Sequence, residues 1–205
     1  MFTFNSHVKF LPKQAPITCL VLLICCILTM IITFLGGFTK ANHLTFGALD
    51  KTVHDSFQFW RFITYSFLHS NYVHFMSNAC FFFVLSLPLE RIMHKTIYII
   101  TLILLSVCAG LFTLFFSNYD YIVGLSGVIF GLLGMYFFIL IRDRMAIDSF
   151  DQLVLLFAFL FGFLMTFTLP NISLACHIGG FIGGIIIAPF VIQQKTLPRL
   201  YNIHH

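Results

Sequence analysis

Charged side chains are scarce in this chain of 205 residues: only 9% are Asp, Glu, Lys or Arg, whereas 60% are hydrophobic. A soluble domain carries roughly 25% charged residues, so this composition excludes an ordinary soluble domain. The chain also lacks any dense basic run. Its net charge of +4 comes from residues scattered between apolar stretches, which argues against nucleic acid as a partner. We therefore predict an integral membrane protein surrounded by the lipid bilayer.

Motifs for metal binding and for disulfides are missing as well. The six cysteines all lie within apolar stretches and form no CxxC pair, and buried cysteine usually acts as a small hydrophobe. No HExxH zinc motif occurs, and His69 and His74 are five residues apart, a poor spacing for sharing a metal on one helix face. We expect no metal and no cofactor, and we interpret Cys176 as a packing residue.

Six apolar stretches are long enough to cross a bilayer, since about 20 helical residues span its hydrocarbon core. They cover residues 17–35, 68–89, 96–116, 122–141, 152–169 and 172–192. The first lacks an A-x-A-like cleavage site, so we expect a membrane span and not a cleaved signal peptide. We predict an all-α polytopic bundle of six transmembrane helices over residues 17–192, with short tails at 1–16 and 193–205.

The distribution of Lys and Arg predicts how this bundle is oriented. Eight of them lie in the two tails and in the connections after the second and fourth stretches, whereas three lie in the first connection. Because basic residues favour the cytoplasmic side, both termini are expected in the cytoplasm. The second, fourth and sixth stretches then all run from outside to inside, so that residues near their starts share one depth in the outer part of the membrane.

Polar residues able to do chemistry lie at those starts. Ser126 lies near the start of the fourth stretch, His177 lies near the start of the sixth, and His69, His74 and Asn78 lie in the first half of the second. Such groups are costly in a bilayer and indicate function by default. Histidine is the usual base that activates a serine hydroxyl. His74 and Asn78 share one helix face, and with the backbone N–H of Ser126 they could stabilise an oxyanion.

Small residues recur at helical spacing in the fourth and sixth stretches: Gly124, Gly127, Gly131 and Gly134 in the fourth, and Gly179, Gly180, Gly183, Gly184 and Ala188 in the sixth. Such faces let membrane helices pack closely, which would bring Ser126 toward His177. Glu90 is at the cytoplasmic end of the second stretch, far in depth from His177. We therefore predict a Ser–His dyad without an acid, with Phe130 packing against the histidine ring.

A non-catalytic interpretation explains each residue singly. Glycines pack helices in many transporters, a lone membrane serine usually bonds its own backbone, and a lone histidine is usually structural. The alternatives are a protein that binds client transmembrane helices and a small transporter. A transporter more often has charged or paired groups at mid-depth, and this sequence shows none.

Taken in order, the motifs resemble the rhomboid family of intramembrane serine proteases, over about residues 17–192. The matching motifs are Trp60-Arg61, His74-Phe75-Met76-Ser77-Asn78, Gly124-Leu125-Ser126-Gly127, and Ala175-Cys176-His177-Ile178-Gly179-Gly180 followed by Gly184. The resemblance is to the compact six-span bacterial type. It implies a protein of the bacterial inner membrane whose active site faces the outer side.

The resemblance also implies the roles of the matching residues. Ser126 would be the nucleophile and His177 the general base, and His74 and Asn78 would line the oxyanion site. Gly124, which would shape the turn before the serine, and Leu125 would also belong to the oxyanion and substrate-binding site. Supporting or structural roles are expected for Trp60, Arg61, His69, Glu90, Phe130, Gly127, Gly180 and Gly184.

Three positions depart from the family pattern. Cys176 stands where a small residue is common, Phe130 stands where tyrosine is frequent, and Gln58 precedes Trp60 where an acid is often found. None of these changes touches Ser126 or His177, so we expect an active enzyme. The resemblance implies an endopeptidase that cleaves other membrane proteins in or near their transmembrane segments. The substrate would arrive between the second and fifth stretches.

Overall fold

The computed structural model describes residues 11–51, 58–168 and 173–192, and these form a bundle of helices. The helices are α1 Leu11–Gln14, α2 Pro16–Phe34, α3 Lys40–Thr45, α4 Arg61–Thr64, α5 Tyr72–Ile92, α6 Lys95–Phe116, α7 Ser126–Arg142, α8 Ser149–Thr168 and α9 Leu174–Val191. Two short strands, β1 Leu49–Asp50 and β2 Tyr121–Ile122, pair antiparallel. The predicted tail at 193–205 and residues 1–10 of the predicted N-terminal tail lie outside the described residues.

The six predicted spans correspond to α2, α5, α6, α7, α8 and α9, which confirms the all-α polytopic bundle. Five of these helices are long and apolar enough to cross a membrane, and α7 is a shorter apolar helix of 17 residues. Because α7 is buried along most of its length, its neighbours in the bundle surround it.

Two predicted boundaries were wrong in a way that affects the site. The fourth span does not begin at residue 122, because Tyr121 and Ile122 form β2 and Gly124 has a φ of +130°. The second span does not begin at residue 68, because Asn71 caps α5 by accepting a hydrogen bond from the His74 amide at 2.8 Å. His69 therefore lies in the connection before α5 and not inside the span.

Helices α7 and α9 touch backbone to backbone. A Cβ on Gly180 would overlap the carbonyl oxygen of Gly127, and one on Gly184 would overlap that of Gly131. Any larger side chain at these positions would separate the two helices. The close approach predicted from the spacing of small residues is therefore confirmed, and it is what brings the start of α9 beside the start of α7.

Glu90, near the C-terminal end of α5, fixes the start of α2. Its buried carboxylate accepts hydrogen bonds from the amides of Ile17 at 2.9 Å and Thr18 at 2.7 Å, and from the Thr18 hydroxyl at 2.6 Å. Lys95 pairs with it at 2.9 Å. The first amides of a helix have no partner within the helix, so a carboxylate here stabilises α2.

The connection between α2 and α5 is held by Arg61. Its guanidinium donates to the carbonyl oxygens of Leu44 at 2.9 Å and Ala48 at 2.6 Å, and to the Gln58 side chain at 2.5 Å. Gln58 thus supplies an oxygen to this arginine. Trp60 is exposed beside it.

Candidate active site

Ser126 is the first residue of α7, and the turn before it is fixed by Gly124. The φ of +130° at Gly124 is one that residues with side chains rarely adopt. The Gly124 amide donates to the carbonyl oxygen of Tyr65 at 3.0 Å. The first hydrogen bond of the helix joins the Ile129 amide to the carbonyl of Leu125, so the amides of residues 126–128 have no partner within the helix.

His177 lies in the first turns of α9 and is held by two contacts. Its imidazole is stacked on the ring of Phe130 in α7, with centroids 4.1 Å apart and planes at 9°. Its Nδ1 is 2.7 Å from the hydroxyl oxygen of Thr166 in α8. The ring contact predicted for Phe130 is present. The contact with Thr166 was missed, because a hydroxyl in a membrane helix usually bonds its own backbone and is not a distinctive signal.

Five of the predicted residues line one cavity of about 110 Å³: Ser126, His177, His74, Asn78 and Phe130. Its walls come from α5, α7, α8 and α9 and are otherwise mostly apolar. Within the part of the chain that the structure describes, the buried atoms His177 Nε2 and Asn78 Nδ2 have no hydrogen-bond partner. Buried polar atoms are normally paired, so these two indicate a place where a ligand or water completes the bonding.

Gly124 brings its backbone against His74 and Asn78. A Cβ at this position would lie 2.7 Å from His74 Cε1, which only glycine avoids, and would be in ordinary contact with Asn78 Nδ2 at 3.7 Å. The Nδ1 atom of His74 is 3.1 Å from the Ser70 hydroxyl, so the other side of the imidazole faces Gly124. The sequence analysis did not find Ser70, because a serine in a connection carries no signal of its own.

His69 supports His74 from behind and does not line the cavity. The two imidazoles meet edge to face with centroids 5.3 Å apart. Burial, and next the neighbouring imidazole of His74, lower the pKa of His69 to about 3, so His69 is neutral. Its carbonyl oxygen is 3.1 Å from Nε2 of His43. Burial also lowers the pKa of His43, although this hydrogen bond opposes the shift.

The remaining predicted residues lie outside the cavity. Trp60 and Arg61 belong to the connection before α5, and Glu90 lies at the far end of α5. Gly127 faces α6 and α9, since a Cβ there would be 2.7 Å from Ala109 Cβ and 2.8 Å from the sulfur of Cys176. The same contact shows Cys176 as a buried packing residue. Leu125 is buried next to the serine.

Comparison with known proteins agrees with these motifs. The family model for the rhomboid domain matches residues 56–194. Rhomboid protease GlpG of Haemophilus influenzae is 30% identical over 187 residues, which are 87% of this chain and 92% of that protein. Rhomboid-related protein 2 of Mus musculus is 32% identical over 160 residues, which are 69% of this chain and 53% of that protein. This chain belongs to the rhomboid family.

Proposed function

We propose that this protein is a serine-type intramembrane endopeptidase that hydrolyses peptide bonds in or near the transmembrane segments of other membrane proteins. The observation that carries the proposal is the shared cavity: Ser126 lines it together with His177, whose buried Nε2 forms no hydrogen bond with Ser126 or with any other described residue and so has its lone pair uncommitted. The relatives named rhomboid proteases support the same reaction class.

In the first step, the oxygen of Ser126 attacks the carbonyl carbon of the scissile bond while His177 Nε2 accepts the hydroxyl proton. The resulting tetrahedral intermediate collapses when His177 returns that proton to the leaving nitrogen, which breaks the C–N bond and leaves an acyl-enzyme. Water then attacks the ester with the same base. Its proton passes through His177 back to the serine oxygen as the second product leaves.

The oxyanion of the intermediate needs hydrogen-bond donors that do not have to reorganise. Asn78 Nδ2 is a buried donor without a partner among the described residues, and His74 lies beside it against Gly124. The amide of Ser126 is a further donor, since no bond within the helix uses it. These groups favour an anion at the point of attack.

We also propose that the substrate arrives between α5 and α8. Phe81 of α5 meets Phe161 of α8 with ring centroids 5.2 Å apart, and both rings line the cavity that contains Ser126. A helical substrate has its carbonyls hydrogen-bonded, so it must unwind before attack, and residues with low helix propensity near the scissile bond should assist cleavage.

The proposed orientation has the termini in the cytoplasm and the cavity toward the outer side of a bacterial inner membrane. It rests on the basic residues, eight on the cytoplasmic side against three on the other. Residues 17–192 would form a single membrane domain, and 1–16 and 193–205 would be cytoplasmic tails. Labelling of single cysteines with an impermeant thiol reagent in whole cells would test this orientation.

The enzyme class is tested by labelling the purified protein with a fluorescent fluorophosphonate, in detergent and in lipid. We expect wild type to be labelled, and Ser126→Ala and His177→Ala not to be. Ser77→Ala is the matched control, because Ser77 is another serine on the same cavity and its hydroxyl already donates to the His74 carbonyl at 3.1 Å. A folded wild type that stays unlabelled would favour a protein that binds client helices without cleaving them.

A further inference from the structure

We propose that Thr166 is a positioning residue for His177: its hydroxyl holds the imidazole in the tautomer and rotamer that present an unprotonated Nε2 to Ser126. This inference rests on the proposed serine protease mechanism. Thr166 lies in the last turn of α8, and no motif named in the sequence analysis lies on that helix.

Two hydrogen bonds define the contact. The Thr166 hydroxyl is buried, donates to the carbonyl oxygen of Gly162 at 2.8 Å, and lies 2.7 Å from Nδ1 of His177. A hydroxyl has one proton to donate and lone pairs with which to accept. A carbonyl oxygen can only accept, so both contacts are hydrogen bonds at once when the hydroxyl donates to Gly162 and accepts from His177, which puts the imidazole proton on Nδ1.

The opposite tautomer would break this arrangement. With the proton on Nε2, the imidazole would present a lone pair at Nδ1, so the Thr166 hydroxyl would have to turn its single proton to His177 and away from the Gly162 carbonyl. That carbonyl oxygen would then lose its bond to the hydroxyl. With the proton on Nδ1, Nε2 keeps its lone pair, which is the form that a general base requires.

Stacking on Phe130 cannot make this choice. The parallel contact fixes the plane of the imidazole, but a ring turned by 180° about its Cβ–Cγ bond lies in the same plane and stacks equally well. Only a group at the edge of the ring distinguishes Nδ1 from the carbon that would replace it after the turn, and Thr166 is that group. In serine proteases with a triad, a carboxylate that orients the histidine holds this place, whereas here a neutral hydroxyl does.

Helix α8 therefore helps to set the tautomer and the rotamer of His177. Gly162 lies against the outer edge of Phe130, where a Cβ would be 3.0 Å from the ring carbon Cζ. One turn later, Thr166 reaches His177 itself. If α8 moves aside for a substrate, Thr166 has to return to its place before His177 is again held in its productive form.

The test compares Thr166→Val, which removes the hydroxyl at nearly constant shape, with Thr166→Ser, which keeps it. Fluorophosphonate labelling is followed over a range of probe concentrations, so that the maximal labelling rate and the half-saturating concentration are measured separately. The matched control is Thr101→Val in α6. Thr101 is also buried and bonds its own backbone, at 2.8 Å to Ile97, without contacting a histidine.

General bases contribute about 10²–10⁴-fold to rate, so we expect Thr166→Val to lower the maximal labelling rate by about tenfold or more. The half-saturating concentration should stay unchanged, and Thr166→Ser should restore the rate. Thr101→Val should label like wild type. If Thr166→Val does not fold, Thr166→Ala against Thr166→Ser provides the same comparison.

Two results would overturn the inference. One is a labelling rate for Thr166→Val within twofold of wild type, and the other is a Thr166→Ser variant as slow as Thr166→Val. Both leave the proposed function intact, because wild type is still labelled at Ser126. If wild type itself is not labelled, the proposed dyad fails first, so the two failures are distinguishable.

Discussion

The imidazole of His177 lies flat on the phenyl ring of Phe130, with centroids 4.1 Å apart. Phe130 is one turn after Ser126 in α7, so the helix that carries the proposed nucleophile also fixes the plane of the proposed base. The two helices can hold this contact because α7 and α9 meet through glycines. The stacking is thus a consequence of backbone packing, and a change in either helix is expected to reach the base.

Removing the Phe130 ring should mainly lower kcat, with a smaller effect on the stability of the fold. Stacked aromatic pairs contribute about 0.5–1.5 kcal/mol beyond their buried area, which corresponds to a fall of about two- to tenfold in kcat for Phe130→Leu if the stacking is lost. Phe159→Leu is the control, because Phe159 packs against Phe130 at 6.4 Å without stacking on the histidine. Equal rates for the two variants would assign the ring a packing role only.

Gly124→Ala should abolish activity. The new Cβ would lie 2.7 Å from His74 Cε1, on a backbone with a φ of +130°, so both the turn and the oxyanion site must shift. Gly36→Ala separates these two effects, since Gly36 has a φ of +103° and nothing within 4 Å of an added Cβ.

Backbone strain of this kind costs about 1–2 kcal/mol, and both variants should show it as a lower Tm. Only Gly124→Ala should lose labelling by the fluorophosphonate. Retained labelling in Gly124→Ala would show that His74 is not fixed by this glycine.

Part of the cavity lining was predictable from the sequence. We expected Ser126 and His177 to lie near each other because each is near the start of a stretch predicted to run in the same direction and small residues would let those helices pack closely, and both residues line one cavity. The start of α7 could not be predicted, since it depends on β2 pairing with β1 from a distant connection.

Hydrogen bonds between side chains on different elements could not be predicted from the sequence either. Thr166 meets His177 only because α8 and α9 pack at one particular rotation. Ser70 meets His74 because the Asn71 cap ends the connection and starts α5 at a fixed residue. Neither contact leaves a periodic pattern in the chain. Hydrophobic spacing, in contrast, is repeated in every turn and can be recognised.

Glu90 should matter for stability and not for chemistry. Glu90→Ala leaves two amides of α2 and the Lys95 ammonium without their buried acceptor. A buried donor left without its acceptor typically costs about 1–3 kcal/mol, so we expect a clearly lower Tm, with normal labelling of the molecules that remain folded at low temperature.

The control is Asp120→Ala, which removes the exposed ion pair with Lys40. Exposed pairs contribute about 0–1 kcal/mol, so its Tm should hardly change. If Glu90→Ala were as stable as Asp120→Ala, the carboxylate would not be what holds α2.

Joining α5 to α8 should block large substrates and admit small ones. Phe81→Cys and Phe161→Cys place thiols where the two rings now meet at 5.2 Å, in a background in which the six native cysteines are replaced and activity has been verified. A short reducible cross-linker should then stop cleavage of a fluorescent transmembrane peptide, because the peptide must pass between the helices. The fluorophosphonate, which is small, should still label Ser126, and reduction should restore cleavage. Undiminished peptide cleavage in the cross-linked protein would exclude this route, whereas loss of labelling as well would mean that the link distorts the site.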